Sequence, residues 1–335
     1  MSRKLLTLCL TTTLMGGTAF ADAPRVAVDI APVHSLVIRV MEGVGTPDLI
    51  IQAGASPHEY SLRPSEAAAL QDANLVFWIG SGLTPWLTDT IETLAPNANV
   101  TELLEADGTI ELEFREGALF EAHDDHEEDE HRDDDDHADE AHDDHEEEGH
   151  DDHDDEEAGH DEHEHGNHDP HAWLSPQNAM TWMNVIAGQL SAADPDNAGA
   201  YFANAAVGRA EIKLLIGEVT AMLDPVRDGR FVVFHDAYQY FETDFNFPAS
   251  GAISISDASD PSPVRIAEIQ DRIAEQGIDC VLAEPQFNPG LVATVLEGSN
   301  AQTGILDPLG SDLKPGSALY PQLIRNLSTA LAGCM

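Results

Sequence analysis

The feature that most constrains this chain is a run of 49 residues, 121–169, with almost no apolar side chains. It contains 28 acidic residues, 12 histidines and one arginine. Such a run cannot bury enough surface to offset the entropy lost on ordering, so we predict a disordered loop here. The run holds −27 of the total net charge of −47, which leaves −20 on the other 286 residues. Because phosphate backbones require clustered Lys and Arg, nucleic acid is excluded as a partner.

The histidines of this run form short groupings with carboxylates, which is a compositional pattern of metal binding. Imidazole and carboxylate suit borderline divalent ions such as Zn²⁺, and a flexible chain can gather several of them at modest affinity. The alternative is a solvated acidic linker whose histidines only tune charge. We favour auxiliary metal binding, with these candidate ligands: His123, His126, His131, His137, His142, His145, His150, His153, His160, His163, His165 and His168.

The first 21 residues have the organisation of a secretory signal. Arg3 and Lys4 precede an apolar stretch from Leu5 to Leu14, and Ala19-Phe20-Ala21 forms a cleavage site. A membrane anchor is the alternative, but the apolar stretch is shorter than the ~18–20 residues that span a bilayer. We therefore predict a cleaved leader and an exported protein.

Two of the three cysteines, Cys280 and Cys334, remain after the leader is removed. An even pair in an oxidising compartment predicts a disulfide that ties the last residues to a strand, with two separate buried thiols as the alternative.

Outside the acidic run, apolar strand-like stretches alternate with helical ones, which is typical of mostly parallel α/β sheets. Strands are predicted at 26–30, 49–51, 75–79 and 231–234, and long helical stretches at 176–193 and 197–223. The length of this helical region (176–223) marks it as the connector between two lobes. At 335 residues with 42% hydrophobic content, the chain can bury a core in each of them.

The other four histidines, His34, His58, His171 and His235, lie near predicted turns or strand ends. Ligands in open α/β sheets bind at the carboxyl ends of the strands. Three imidazoles that converged there from two lobes would form a tetrahedral Zn²⁺ site, with one position left for a carboxylate or water.

Five sequence motifs, in this order, resemble the ZnuA family of periplasmic zinc-binding components of ABC transporters. They are SPHEYSLRPS (56–65), DPHAWLSP (169–176), FHDAYQYF (234–241), AEPQF (283–287) and LDPLG (306–310). The match covers essentially the whole chain after the leader. The resemblance implies two α/β lobes, each with a mostly parallel sheet flanked by helices, joined by a long rigid helix with the metal in the cleft between them.

The resemblance also implies domain bounds and site residues. The expected order is a signal peptide (1–21), an N-terminal lobe (22–196), a linker helix (197–224) and a C-terminal lobe (225–335). By motif, His58, His171 and His235 are the expected zinc ligands, with Asp307 or water as the fourth, and His34 lies outside this set. A Cys280–Cys334 disulfide, a membrane permease as partner and a monomeric state are further expectations.

Two other functions fit three histidines at strand ends. A zinc hydrolase would need a general base, for which Glu59, Asp236 or Glu284 is available, but the chain has no HExxH or GxSxG motif. A metal buffer or adhesin without a transport role is the other alternative. We therefore predict that the chain is a transport protein and not an enzyme.

Overall fold

The computed structural model describes residues 23–115, 120, 168–254 and 261–335. The predicted signal peptide and all the predicted loop histidines except His168 lie outside these residues. Within the described ranges, no helix has the length and apolar character needed to cross a membrane.

The first lobe is built on a parallel sheet with strand order β2-β1-β3-β4. In chain order its elements are β1 (Val26–Val28), α1 (Ala31–Val40), β2 (Asp48–Leu49), α2 (Pro64–Asp72), β3 (Leu75–Trp78), α3 (Pro85–Leu94) and β4 (Asn99–Glu102). The central strands β1 and β3 are completely buried, as expected for a parallel sheet covered on both faces.

Two long helices, α4 (Pro176–Ala193) and α5 (Ala198–Leu223), connect the sheets. Ser175 caps α4 by accepting a hydrogen bond from the backbone N–H of Asn178, and Pro176 occupies the first turn, where its fixed φ suits a helix. The 26 residues of α5 make a rod about 39 Å long.

The second lobe repeats the design with strand order β6-β5-β7-β8, again all parallel. Its elements are β5 (Phe231–His235), α6 (Gln239–Phe245), β6 (Ala252–Ser254), α7 (Pro263–Gln276), β7 (Cys280–Ala283), α8 (Pro289–Val295), β8 (Gln302–Ile305) and α9 (Leu319–Cys334). The predicted fold class, two parallel sheets each flanked by helices, is confirmed.

The lobes share one hydrophobic core. Buried side chains of β1, β3, α4, α5, β5 and α9 form a single cluster, and a smaller second cluster lies between α7, α8 and the second sheet. Tyr320 of α9 adds polar contacts across the lobes, because its hydroxyl donates toward the carbonyl oxygens of Trp173 and Ser175 at 3.0 and 3.2 Å. The hydrophobic core is therefore continuous from one lobe to the other, and both long helices contribute to it.

One expectation about local structure is wrong. The strand-like run at 26–30 predicts a helix that starts only at about Ser35, with His34 at the turn before it. Helix α1 instead begins at Ala31, so His34 lies within its first turn. Pro32 favours this earlier start, since its fixed φ suits the first turn of a helix. His34 is buried there, with Nε2 3.0 Å from the carbonyl oxygen of Pro47.

The disulfide between Cys280 and Cys334 is confirmed. It joins the first residue of β7 to the last residue of α9, with Cα atoms 5.8 Å apart and 54 residues of separation. The bond fastens the C-terminal helix to a central strand of the second sheet.

Replacing both cysteines by alanine is expected to lower the free energy of unfolding by roughly 2–4 kcal/mol, because the unfolded chain regains the entropy of an open loop. Denaturant unfolding of the variant and of the oxidised parent measures this difference. Equal midpoints for the two proteins would contradict it.

Candidate metal site

The carboxyl ends of the strands in both sheets face a pocket between the lobes. Its lining comes from the loop after β2, the segment before α4, the ends of β5 and β7, and the turn after β8. The lining residues are Ser56, Pro57, His58, His171, Trp173, His235, Glu284, Gln286, Phe287, Pro308 and Leu309. Three of the predicted ligands, His58, His171 and His235, are thus brought to one place.

His58 is carried by the loop between β2 and α2 and is half-buried. The indole Nε1 of Trp86 donates to the carbonyl oxygen of Pro57 at 2.8 Å, which fastens the loop to α3. The His58 and His171 ring centroids are 5.8 Å apart.

His171 lies two residues after a buried carboxylate that fixes its orientation. Its backbone N–H and its ring Nδ1 lie 2.9 and 2.7 Å from the same oxygen, Oδ1 of Asp169. Burial raises the pKa of Asp169 to about 7, although hydrogen bonding from His171 and the charge of Arg115 act in the opposite direction. The adjacent Trp173 donates its Nε1–H to Pro308 of the second lobe at 2.7 Å, so this segment is held against both lobes.

His235 is the last residue of β5, and sheet register provides its partner. Strands β5 and β7 are parallel neighbours with Phe231 opposite Cys280, so the same offset of 49 residues places Glu284 beside His235. The ring Nδ1 of His235 is 2.7 Å from Oε1 of Glu284. A carboxylate on one ring nitrogen fixes the tautomer and directs the other nitrogen toward a metal.

The two buried rings meet through their other nitrogens, with Nε2 of His171 and Nε2 of His235 3.4 Å apart. In the tautomer in which each Nδ1 donates to its carboxylate, each neutral ring carries its lone pair on Nε2, and two such lone pairs repel unless a proton or a cation lies between them. Across the described ranges, no three His, Cys, Asp or Glu side chains are already spaced to hold an ion. The arrangement is therefore a preformed pair of nitrogens, with His58 a short distance away.

Asp307 follows β8 but is not among the pocket-lining residues. Its Oδ1 accepts hydrogen bonds from the backbone N–H groups of Leu309 and Gly310 at 3.1 and 3.0 Å. Its Oδ2 accepts from the backbone N–H and the hydroxyl of Ser311, both at 2.6 Å. In this arrangement the carboxylate organises the turn after β8.

The sequence reasoning missed the orienting roles of Asp169 and Glu284. The role of Asp169 could be inferred from the local sequence, since an acid two residues before a histidine can reach its Nδ1. The role of Glu284 could not be inferred without the strand register, because 49 residues separate it from His235.

Of the predicted loop histidines, only His168 is described here. Its Nδ1 is 3.3 Å from Oε2 of Glu111, and its backbone forms an isolated antiparallel bridge with Glu113. His168 therefore sits at the base of the acidic run, outside the residues that line the pocket.

Two parallel-sheet lobes around a histidine-lined pocket define a metal-binding solute-binding protein, and comparison with known proteins specifies the family. The family model described as ZnuA, zinc-uptake complex component A, periplasmic, matches residues 26–334. The chain belongs to this family, whose members are solute-binding proteins of zinc ABC transport and not enzymes.

Sequence relatives and solved structures agree with this assignment. The chain is 47% identical over 320 residues to the high-affinity zinc uptake system protein ZnuA of Brucella abortus (strain 2308), covering 96% of this chain and 94% of that protein. It is 46% identical over 318 residues to the protein of the same name from Paracoccus denitrificans (strain Pd 1222), covering 95% and 93%.

Among solved structures, a crystal structure of ZnuA matches with a TM-score of 0.70 at 22% identity, covering 93% of this chain and 99% of that one. A zinc-bound ZnuA deletion mutant matches with a TM-score of 0.69 at 23% identity, covering 93% and 98%. At these identities the structural matches establish the fold.

The carboxylate contacts generate a prediction about imidazole tautomers. In Glu284→Met, His235 loses the acceptor at Nδ1, so its ring should populate the Nε2–H tautomer as well. Proton–nitrogen NMR correlations of the histidine side chains report this directly. His34, whose Nε2 faces the Pro47 carbonyl, serves as the unchanged internal control. An Nδ1–H tautomer retained in full at His235 would show that Glu284 does not orient this ring.

Proposed function

We propose that this protein captures Zn²⁺ between its lobes through His58, His171 and His235 and delivers it to the membrane permease of an ABC importer. The observation that carries the proposal is the pair of Nε2 atoms at 3.4 Å, each on a ring whose Nδ1 faces a buried carboxylate. Two nitrogens bound to one tetrahedral zinc ion at about 2.0–2.1 Å are themselves about 3.3–3.4 Å apart. The pair is thus already spaced as one edge of a zinc tetrahedron.

The donor set favours zinc over manganese, because three nitrogens suit a borderline ion better than a hard, oxygen-seeking one. Charge favours a divalent cation in general and does not separate zinc from manganese. Asp169 and Glu284 place two carboxylates directly behind the nitrogen pair, and together, when ionised, they balance the charge of one divalent cation. Copper has a higher intrinsic affinity for such ligands, so its exclusion depends on geometry and availability.

Water is the better-supported candidate for the fourth zinc ligand. Asp307 stays the alternative ligand predicted from its motif, but both of its oxygens accept backbone hydrogen bonds, and ligation would require giving up some of them. Water needs no such rearrangement.

A hydrolytic use of the same centre has little support among the described residues. Glu59 is exposed and outside the pocket lining, Asp236 is paired with Arg115, and Glu284 holds His235. Of these three described carboxylates, only Glu284 lines the pocket, and its Oε1 is already engaged with His235.

The remaining parts of the proposal concern the chain around the site. A cleaved leader, residues 1–21, delivers the protein to the periplasm, where it acts as a monomer of two lobes (22–196 and 225–335) joined by the linker helix (197–224). The histidine-rich acidic run (121–169) collects zinc weakly near the cleft. Its anionic field attracts cations over a Debye length of about 8–10 Å in physiological salt.

Removal of one proposed zinc-binding histidine tests whether the tight zinc site lies between the lobes. His171→Ala is expected to remove the tightest Zn²⁺ site from the full chain, as measured by titration against a chelator strong enough to strip weak sites. His34→Gln is the matched control, because His34 is also a buried histidine but contacts Pro47 instead of the pocket. Unchanged tight binding in His171→Ala would refute the proposed site.

Deletion of residues 121–165 tests the auxiliary role of the acidic run. This deletion removes eleven of the 12 predicted loop histidines and keeps the bridge between Glu113 and His168. The variant should retain one tight zinc site and lose the weak ones, which isothermal titration calorimetry resolves as a lower stoichiometry. Loss of the tight site together with the weak ones would contradict the collector role.

A further inference from the structure

Arg115 connects the lobes through two buried carboxylates. It lies in the segment that follows β4 of the first lobe, and its partners, Asp236 and Glu242, belong to the second lobe. Its Nε lies 3.0 Å from both carboxylate oxygens of Asp236, and its Nη1 lies 2.7 Å from Oε2 of Glu242. The side chains of Arg115, Asp236 and Glu242 are only 16%, 9% and 5% exposed.

The contacts of Arg115 with Asp236 and Glu242 favour the charged form of its guanidinium. Burial alone would lower the pKa of Arg115, yet its hydrogen bonds to Asp236 and Glu242 raise that pKa above the usual value. A planar guanidinium can bind two carboxylates at once, whereas an ammonium acts as a single point charge. The geometry of these contacts therefore suits arginine better than lysine.

One end of this contact is tied to His235. Asp236 is the next residue along the chain, and the turn between them is closed by a hydrogen bond from the N–H of Ala237 to the carbonyl oxygen of His235, 2.9 Å long. Fixing the Asp236 side chain therefore restrains the backbone that carries His235.

The other end is tied to His171. The segment that carries Arg115 pairs with the segment leading into His171, through the bridge of Glu113 with His168 and a 2.7 Å hydrogen bond from the Asp169 N–H to the Leu112 carbonyl oxygen. Tyr240 of the second lobe locks this pairing, because its hydroxyl donates to the Asp169 carbonyl at 2.8 Å and accepts from the Leu112 N–H at 3.0 Å.

We propose that Arg115 is a positioning residue for the metal site, which sets the spacing of the His171 and His235 nitrogens by anchoring the segment before His171 to the residue after His235. This inference rests on the proposed function, since it assumes that both histidines bind zinc. Arg115 is not a ligand, and it acts only through the two backbones that it joins.

The test compares Arg115 variants in the full chain. Arg115→Met keeps the length of the side chain but removes the anchor, and should raise the zinc dissociation constant by about 10- to 100-fold, the usual effect of losing an outer-sphere contact. Arg115→Lys should recover part of the affinity. Arg325→Met is the matched control, because Arg325 also binds a carboxylate, Glu218, with its Nε 2.9 and 3.0 Å from the two oxygens, but lies outside the pocket lining.

Spectroscopy separates positioning from simple stabilisation. The visible absorption of bound Co²⁺ reports the ligand geometry, so Arg115→Met should change this spectrum, while Arg325→Met should leave it as in the parent. Arg115→Met leaves the carboxylates of Asp236 and Glu242 without a compensating charge. The double variant Arg115→Met/Asp236→Asn removes one of these two charges, so it should fold more stably than Arg115→Met while still binding zinc weakly.

Zinc binding within about twofold of the parent in Arg115→Met or in the double variant, with an unchanged Co²⁺ spectrum, would overturn the inference whatever the melting temperature. Failure of the proposed function has a different signature. In that case His171→Ala would bind zinc as tightly as the parent, independently of the Arg115 results.

Discussion

The candidate metal site depends on the packing of the two lobes against each other, because no single element of the described chain carries all three histidines. His58 and His171 precede the long helices α4 and α5, and His235 ends a strand of the second sheet. A shared hydrophobic core and the interlobe hydrogen bonds of Trp173, Tyr240 and Tyr320 hold these elements together. The two Nε2 atoms can stay 3.4 Å apart only if the lobes that carry them are fixed in position relative to each other.

Within this frame, buried carboxylates decide what the pocket can bind. Each inward-facing imidazole is backed by an acid that is itself nearly inaccessible to water, 2% exposed for Asp169 and 4% for Glu284. Buried anions are costly without a compensating charge. A dication between the rings would supply that compensation, and so the same acids that orient the imidazoles would also favour a divalent cation there.

Sequence patterns predicted the parallel sheets well, because buried strands are short apolar runs, and they placed His58, His171 and His235 near strand ends or turns, where the structure brings them to one pocket. The contacts that orient those histidines were not predictable in the same way. Glu284 reaches His235 only through the register of β5 with β7, and Arg115 reaches Asp236 across 121 residues. His34 was misplaced for a local reason, since Pro32 starts α1 earlier than the apolar pattern suggests.

The bridge between Glu113 and His168 has a consequence for how chains of this kind can diverge. Glu113 precedes the acidic run and His168 lies near its end, and the two residues are paired, so the chain on either side of the insertion is held at one place in the fold. Lengthening a closed loop costs little, about 0.6 kcal/mol for each doubling of its length. Evolution can therefore vary the size and composition of this insertion widely, while selection acts on the few residues at its base.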